Sequence, residues 1–200
     1  MKHPSVSSAG ENPQKALPTR EQCFLLMARY GMLPNIREHS LLVTEVALRL
    51  GRGLIEAGLP LRLTLIEAGA LLHDLGKTPC LGTAANHAEW GAQALAGEGY
   101  PEVAQVVREH VRLDDSMTDG RPLREAEVVN YADKRVLHTQ VVTLAARFAD
   151  LKERYGRTPE ALARITENEL KSRQLEQKIF SFLPRPHRDL LHLNHIRRQS

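Results

Sequence analysis

Ala70-Leu71-Leu72-His73-Asp74-Leu75-Gly76-Lys77 is the stretch of this sequence that decides the fold. The residues that lead into it, from Leu61 onward, are apolar on almost every side, which is typical of a central buried helix. Gly76 and Pro79 end that helix, so a histidine and a carboxylate stand side by side at its end. Imidazole and carboxylate are ligands that Fe, Mn, Zn and related ions accept. The pair therefore predicts a divalent metal site at the end of a buried helix.

Helical signals continue on both sides of this stretch. Thr19 to Gln22 has the pattern of a capping box, and it precedes an apolar run. A second helix is expected from about Asn35, with apolar positions at helical spacing and His39 on the same stripe. No segment alternates as a β-strand would. We therefore expect an all-α fold, packed as an irregular bundle, with further helices at 87–97, 101–112, near 123–154 and at roughly 159–180.

Length and charge suggest how the chain is organised. Its 200 residues are enough for one well-packed domain with an appendage. We expect a flexible N-terminal tail at 1–19, the main domain at 20–155, and a C-terminal helix with a basic tail at 156–200. The net charge is +3, and basic side chains are most in excess after residue 151. We interpret that excess as a solvated basic helix face.

Several classes of protein do not match the composition. No apolar run approaches the roughly 20 residues of a membrane span, and the N-terminus lacks the apolar centre of a signal peptide. The two cysteines form no disulfide or metal framework. Aromatic residues are few, so no specific nucleic-acid binding is expected. We expect a cytoplasmic protein without membrane contact, and the sequence leaves a homo-oligomer open.

The His-Asp pair has candidate partners far away in the sequence. They share a position on, or at the end of, an apolar helical segment, where imidazoles and charges are costly unless they are paired or coordinated. A single buried histidine is usually hydrogen-bonded core, and Asp133 alone would pair with an arginine. A metal site would offset the cost for the whole set, which is His39, His73, Asp74, His87, His110 and Asp133.

This set resembles the HD superfamily of metal-dependent phosphohydrolases, from about His39 to Arg154. The similarity is carried by Arg37-Glu38-His39-Ser40, by Leu71 to Lys77, and by Tyr131-Ala132-Asp133-Lys134-Arg135. The resemblance implies that residues 20–155 form an HD domain. It also implies that the protein hydrolyses a phosphate ester or nucleotide with a metal-activated hydroxide, as enzymes of the two-metal subgroup do.

The resemblance also implies a role for each ligand. His39, His73 and Asp133 would complete the protein ligands of a first ion. Asp74 would bridge two ions and so be catalytic, and His87 and His110 would bind the second. Fe, Mn or another transition metal suits these ligands, and Mg remains an option.

Basic residues beside the ligands are candidates for contact with substrate. Lys77, three residues after Asp74, could face the negative charge that develops on phosphate, so we predict a catalytic role for it. Lys134 and Arg135 flank Asp133 and could bind substrate phosphates. Neighbours on a helix point about 100° apart, so at most one of the two should share the pocket of Asp133, and we prefer Arg135. Arg37 is a lesser candidate.

Two features leave the function open. Gly99-Tyr100-Pro101 resembles the motif of HD-GYP cyclic-dinucleotide phosphodiesterases, but here it precedes a single histidine, and a turn between helices explains it. The two-metal pattern is closer to small bacterial HD proteins that split diadenosine tetraphosphate. A few two-iron HD proteins are oxygenases with the same ligands, and an HD domain can also serve as a nucleotide-binding regulatory module. The alternatives to a phosphohydrolase are therefore an oxygenase and a regulatory module.

Overall fold

The computed structural model describes residues 16–112, 122–183 and 189–193. Within them the chain forms eight α-helices and one two-stranded sheet, which confirms the all-α class. The helices are α1 (Arg20–Arg29), α2 (Pro34–Glu56), α3 (Leu63–Leu72), α4 (His87–Gly97), α5 (Pro101–Glu109), α6 (Glu125–Lys134), α7 (Leu144–Tyr155) and α8 (Pro159–Phe182). The strands are β1 (Val136–Leu137) and β2 (Gln140–Val141), which pair antiparallel.

Three parts of the chain lie outside the described residues. They are residues 1–15 of the expected N-terminal tail, residues 113–121, and residues 184–188 and 194–200 of the expected basic C-terminal tail. The division of the chain at residues 19 and 155 stays a prediction. None of the described helices combines the length and the hydropathy that crossing a bilayer requires.

Local sequence explains where the helices begin and end. Thr19 caps α1 as predicted, because its hydroxyl accepts from the Gln22 amide while the Gln22 side chain accepts from the Thr19 amide. Asn86 caps α4 in a similar way with its side-chain oxygen. Tyr100 and Pro101 lie at the start of α5 after Gly99, whose φ of 88° only glycine adopts easily. The Gly-Tyr-Pro sequence is therefore a turn between two helices.

The long helix predicted near 123–154 is broken in the structure. α6 ends at Lys134, the β1–β2 hairpin follows, and α7 begins at Leu144 after the cap residue Thr143. Valines around the turn favour extended backbone over helix. At the turn, His138 has a φ of 54°. The hairpin is closed by Arg135, whose backbone oxygen accepts from the Val142 amide at 2.8 Å.

The helix α3 lies at the centre of the bundle. It contacts α1, α2, α5 and α6, and all but three of its ten residues are buried. α4 pairs with α5 on one side, while α8 packs against α7 and α6 on the other. Because other helices surround α3, the residues at its C-terminal end lie inside the protein. Side chains from those helices can contact them there.

Gly69 sets the distance between α3 and its neighbours. A Cβ atom there would lie 2.4 Å from Cγ1 of Val106 on α5 and 3.6 Å from Cγ2 of Val129 on α6. We expect Gly69→Ala to lower the free energy of unfolding by about 1–3 kcal/mol, because the overlap falls on a stiff β-branched side chain. Urea unfolding of the full chain measures this.

The matched control for that change is Gly97→Ala at the end of α4. A Cβ atom on Gly97 meets nothing within 4 Å. We expect it to leave the protein equally stable or to stabilise it by roughly 0.5–1 kcal/mol, because alanine restricts the unfolded chain. Equal effects of the two substitutions would contradict the close packing of α3.

Candidate metal centre

The structure brings together all six side chains that the sequence predicted as metal ligands. They lie in and around one cavity of about 400 Å³, although they come from five helices or helix ends. His39 projects from α2, His73 and Asp74 follow α3, His87 opens α4, His110 follows α5, and Asp133 lies in the last turn of α6. All of them except His87 are buried.

Asp74 is the centre of this arrangement because its two carboxylate oxygens face different histidines. Oδ2 lies 3.2 Å from Nε2 of His73 and 3.9 Å from Nε2 of His39. Oδ1 lies 3.5 Å from Nε2 of His110 and 3.6 Å from Nε2 of His87. Two groups of atoms that could each hold an ion therefore share this one carboxylate.

Asp133 joins the first of these groups. Its Oδ1 lies 3.1 Å from Nε2 of His39 and 3.7 Å from Nε2 of His73. In the second group, the Nε2 atoms of His87 and His110 are 3.3 Å apart. We call the two groups the His39 group, with His73, Asp74 and Asp133, and the His87 group, with His110 and Asp74.

Three of the four histidines are oriented by backbone carbonyls. Nδ1 of His73 donates to Ala70 O at 2.8 Å, and Nδ1 of His110 donates to Val107 O at 2.6 Å. Both histidines directly follow a helix, and each reaches back to the backbone carbonyl three residues before it. His39 is held from across the chain, by the carbonyl of His138 in the hairpin at 3.0 Å.

These hydrogen bonds determine what the rings can bind. A carbonyl only accepts, so the proton of a neutral ring is on Nδ1 and the lone pair of Nε2 points into the cluster. Nε2 of His73 is buried and makes no hydrogen bond to any described residue. Lone pairs and carboxylate oxygens that face one another repel unless a cation lies among them. The donor set therefore fits a divalent metal ion.

The charges of the cluster shift the pKa values of its members. Burial lowers the pKa of His73, but the Asp74 and Asp133 carboxylates together outweigh burial and raise the net pKa to about 9. Burial disfavours the Asp74 carboxylate, yet His73 and His110 hold its pKa well below the usual range. Burial lowers the pKa of His87 to about 4, and neighbouring His110 adds to this. The pKa is therefore raised at His73 and lowered at His87 and His110, where burial is the main cause.

Two lysines neutralise the carboxylates from the cavity side. Lys77 Nζ lies 2.7 Å from Asp74 Oδ2, and Lys134 Nζ lies 2.8 Å from Asp133 Oδ2. Lys134 also donates to the backbone oxygen of His110 at 3.1 Å. Burial lowers the pKa of Lys77, but Asp74 and Asp133 together outweigh burial and raise that pKa overall, so the ammonium group persists. Both lysines line the cavity.

Arg135 and Arg37, two of the predicted substrate-binding residues, lie elsewhere. Arg135 turns away from Asp133: its Nη1 donates to the hydroxyl of Tyr131 and its Nε to Val142 O. Arg37 is exposed on the first turn of α2 and is not among the residues that line the cavity. The preference for Arg135 over Lys134 as the neighbour that shares the pocket of Asp133 is thus reversed.

Sequence reasoning missed the contribution of α7. Arg147, Asp150 and Arg154 line the cavity from that helix, and Nε of Arg147 is buried without a hydrogen bond to any described residue. Arg154 pairs with Asp150 at 2.8 Å and with Nε2 of His138 at 2.8 Å. The spacing i, i+3, i+7 puts all three on one helical face. The sequence did not indicate that this face meets the metal ligands, because residues 123–154 were expected to form one helix.

Gly76 explains how Asp74 and His87 come together. A Cβ atom at Gly76 would lie 2.1 Å from the backbone oxygen of His87 and 3.0 Å from the amide nitrogen of Gly91. The turn after Asp74 therefore packs backbone against backbone on the first turns of α4. Only glycine permits this approach, which brings His87 within reach of the Asp74 carboxylate.

Comparison with known proteins agrees with this geometry. The HD domain family matches residues 36–138, just over half of the chain. The chain belongs to the HD domain family. The match begins just before His39 and ends after Asp133, so it contains all six clustered side chains. HD-domain membership points to the metal-dependent hydrolase superfamily, and the cluster could hold a metal ion.

Curated proteins from three organisms are similar to this chain. An uncharacterized protein of Methanocaldococcus jannaschii is 25% identical over 66% of this chain and 83% of its own length. Two proteins named tRNA (cytidine(56)-2'-O)-methyltransferase also match. The one from Thermoplasma volcanium is 32% identical over 48% of this chain, and the one from Picrophilus torridus is 25% identical over 70%. The match spans only 27% and 40% of those two proteins. No solved structure matches significantly.

We expect metal affinity to rise with pH. A metal must displace the proton that His73 holds with its pKa of about 9, so affinity increases as the proton becomes easier to remove. The apparent dissociation constant for Mn²⁺ should fall by about tenfold per pH unit between pH 6 and 8 if one proton is displaced. Titration of the chelator-treated chain measures it.

The control for this titration is His138→Asn. It keeps the backbone oxygen that orients His39, and asparagine tolerates the positive φ at this position. The variant should show the same slope as the unaltered chain. An affinity that is independent of pH from 6 to 8 would show that no ligand proton is displaced.

Proposed function

We propose that this protein is a metal-dependent phosphohydrolase that cleaves a phosphate ester or nucleotide. The observation that carries the proposal is the position of Asp74, whose two oxygens face two separate groups of histidines in a cavity that also contains lysine and arginine side chains. Membership of the HD domain family supports it.

The residues divide naturally between two divalent ions. The His39 group would hold one ion, the His87 group would hold the other, and Asp74 would bind both. Divalent ions in such a site supply Lewis-acid activation of water and neutralise charge on the phosphoryl group. Fe, Mn or another transition metal suits this set of imidazole and carboxylate ligands, and Mg remains an option.

The side chains around the ligands perform the remaining tasks. Lys77 and Lys134 hold Asp74 and Asp133 in place and keep positive charge beside the ligands. Arg147 brings a guanidinium group from α7 to the same cavity. Cations that are already positioned can bind phosphoryl oxygens without further reorganisation, which favours the charge that builds up during the transfer.

The lysine and arginine side chains of the cavity favour a phosphohydrolase over a two-iron oxygenase. Both chemistries accept the same ligands, but three of the cavity's positive side chains, Lys77, Lys134 and Arg147, suit an anionic substrate. The methyltransferase names belong to proteins of which the matched region is a minor part. We therefore do not extend methyl transfer to this chain.

Metal analysis tests the two-ion arrangement. We expect two ions per chain after loading with Mn²⁺ and one ion in His87→Ala, because that change removes one of only three ligands in the His87 group. His138→Asn serves as the matched control, since His138 lines the cavity but belongs to neither group. A single ion in the unaltered chain would mean that His87 and His110 serve another purpose.

A substrate screen tests the activity itself. The Mn²⁺- or Fe²⁺-loaded chain should release phosphate or nucleotide from some member of a panel of mono-, di- and cyclic nucleotides and aryl phosphates. Asp74→Asn should lower kcat by more than the roughly 10- to 100-fold that loss of a residue supporting a metal ligand causes. Asp150→Asn changes a carboxylate of the same cavity outside both groups, so it should retain far more activity.

Each alternative outcome of that screen has a definite meaning. Full activity in Asp74→Asn would show that the site is wrongly assigned. Strict dependence of turnover on O₂ would favour the oxygenase. Tight nucleotide binding without turnover would favour a regulatory module.

A further inference from the structure

A second cavity of about 330 Å³ adjoins the metal cavity. Val111, Tyr155 and Asn168 line both cavities, so the two are neighbours with a shared wall. The second cavity is formed mainly by α8, with contributions from α6 and from the residues after His110. Its volume falls in the range of roughly 300–1,000 Å³ that small-molecule sites occupy.

Most of this cavity lies outside the region that matches the HD domain family. That match ends at residue 138, whereas α8 spans Pro159–Phe182. The cavity is therefore a feature of this chain's own C-terminal helix. It is not part of the metal centre that the family defines.

Asn130 connects the second cavity to the metal centre by hydrogen bonds. This buried residue lines the cavity, and its amide donates to the backbone oxygens of His110 at 2.8 Å and Glu109 at 3.0 Å. The chain also runs directly from His110, in the His87 group, to Val111 in the shared wall. A molecule that occupies both cavities would thus extend from the metal ligands toward α8.

The lining of the second cavity suits a flat aromatic ring with polar edges. Ile165 and Leu175 supply apolar walls, and Tyr155, whose side chain is 62% exposed, presents an aromatic ring where the cavities meet. Asn168 places a side-chain amide, a donor and an acceptor, at the same junction. Aromatic rings stack on nucleobases, and amides pair with their edges.

The charges at the rim also suit a polar, electron-rich ligand. Arg112, Arg164 and Lys171 line the cavity against a single carboxylate, that of Glu167, which pairs with Lys171 at 3.0 Å. Guanidinium groups bind carbonyl and phosphate oxygens and stack on planar rings. A purely apolar ligand would make no use of them.

We propose that the second cavity binds the nucleobase of a nucleoside phosphate whose phosphate group lies in the metal cavity, so that α8 determines which phosphate esters are preferred. This inference rests on the proposed phosphohydrolase function, and it assigns the substrate a base as well as a phosphate. Tyr155 and Asn168 lie where base and phosphate subsites meet, and Ile165 and Leu175 pack against the ring.

Binding of two non-hydrolysable probes tests the proposal. The probes are the methylene phosphonate analogues of AMP and of ribose 5-phosphate, which differ only in the base. With the Mn²⁺-loaded full chain, calorimetry should show the AMP analogue binding roughly tenfold or more tighter, as one stacked base contributes. Ala161→Trp, which fills the cavity from α8, should abolish that difference and leave the ribose phosphonate unchanged.

A matched variant controls for an effect of the new tryptophan on folding. Ala163→Trp makes the same change two residues along α8, at an exposed position that does not line the cavity. It should bind both probes as the unaltered chain does, and circular dichroism should show all three proteins equally helical. If Ala161→Trp fails to fold, Asn168→Leu provides the second test, since it removes the amide and keeps similar bulk.

The outcomes separate this inference from the proposed function. Equal binding of the two probes to the unaltered chain, no measurable binding of either, or equal weakening of both in Ala161→Trp would overturn the base subsite. Phosphate release from esters with and without a base at the same rate would overturn it too, while leaving the phosphohydrolase intact. Base-dependent binding without turnover of any ester would support the subsite and reject the hydrolase.

Discussion

Burial of the Asp74 carboxylate is the constraint on which this structure depends. The residue is 1% exposed, and an ionised carboxylate out of water costs several kcal/mol unless it is paired. Its partners come from separate places along the chain: Lys77 from the following turn, His39 from the second turn of α2, and His87 and His110 from two other helix ends. The bundle must therefore bring those segments together before the carboxylate can remain charged.

The ends of two helices orient histidines of the metal centre. His73 and His110 each follow a helix and donate Nδ1 to a carbonyl of its last turn. The same hydrogen bond turns Nε2 of each ring toward Asp74. The ligand geometry is thus a by-product of how α3 and α5 terminate.

Neighbours in the sequence can serve different purposes in the structure. Lys134 points to Asp133 and the metal cavity, whereas Arg135 contacts Tyr131 and lies 3.4 Å from Glu176 on α8. Helical spacing predicts that only one of the two faces the cavity, but it does not say which. The answer depends on the break in the helix at Arg135, where the β1–β2 hairpin carries the chain across to α7.

The sequence by itself determined the helical class, most helix ends and the set of residues that cluster in the metal cavity. Hydrophobic periodicity, capping and glycine or proline stops are local properties, so they can be read without a fold. Only the tertiary structure decided that each oxygen of Asp74 faces a different pair of histidines, that α7 adds Arg147 to the cavity, and that α8 encloses a second cavity beside it. These features depend on contacts between residues far apart in the chain. The sequence around each residue does not show which distant side chain it will face.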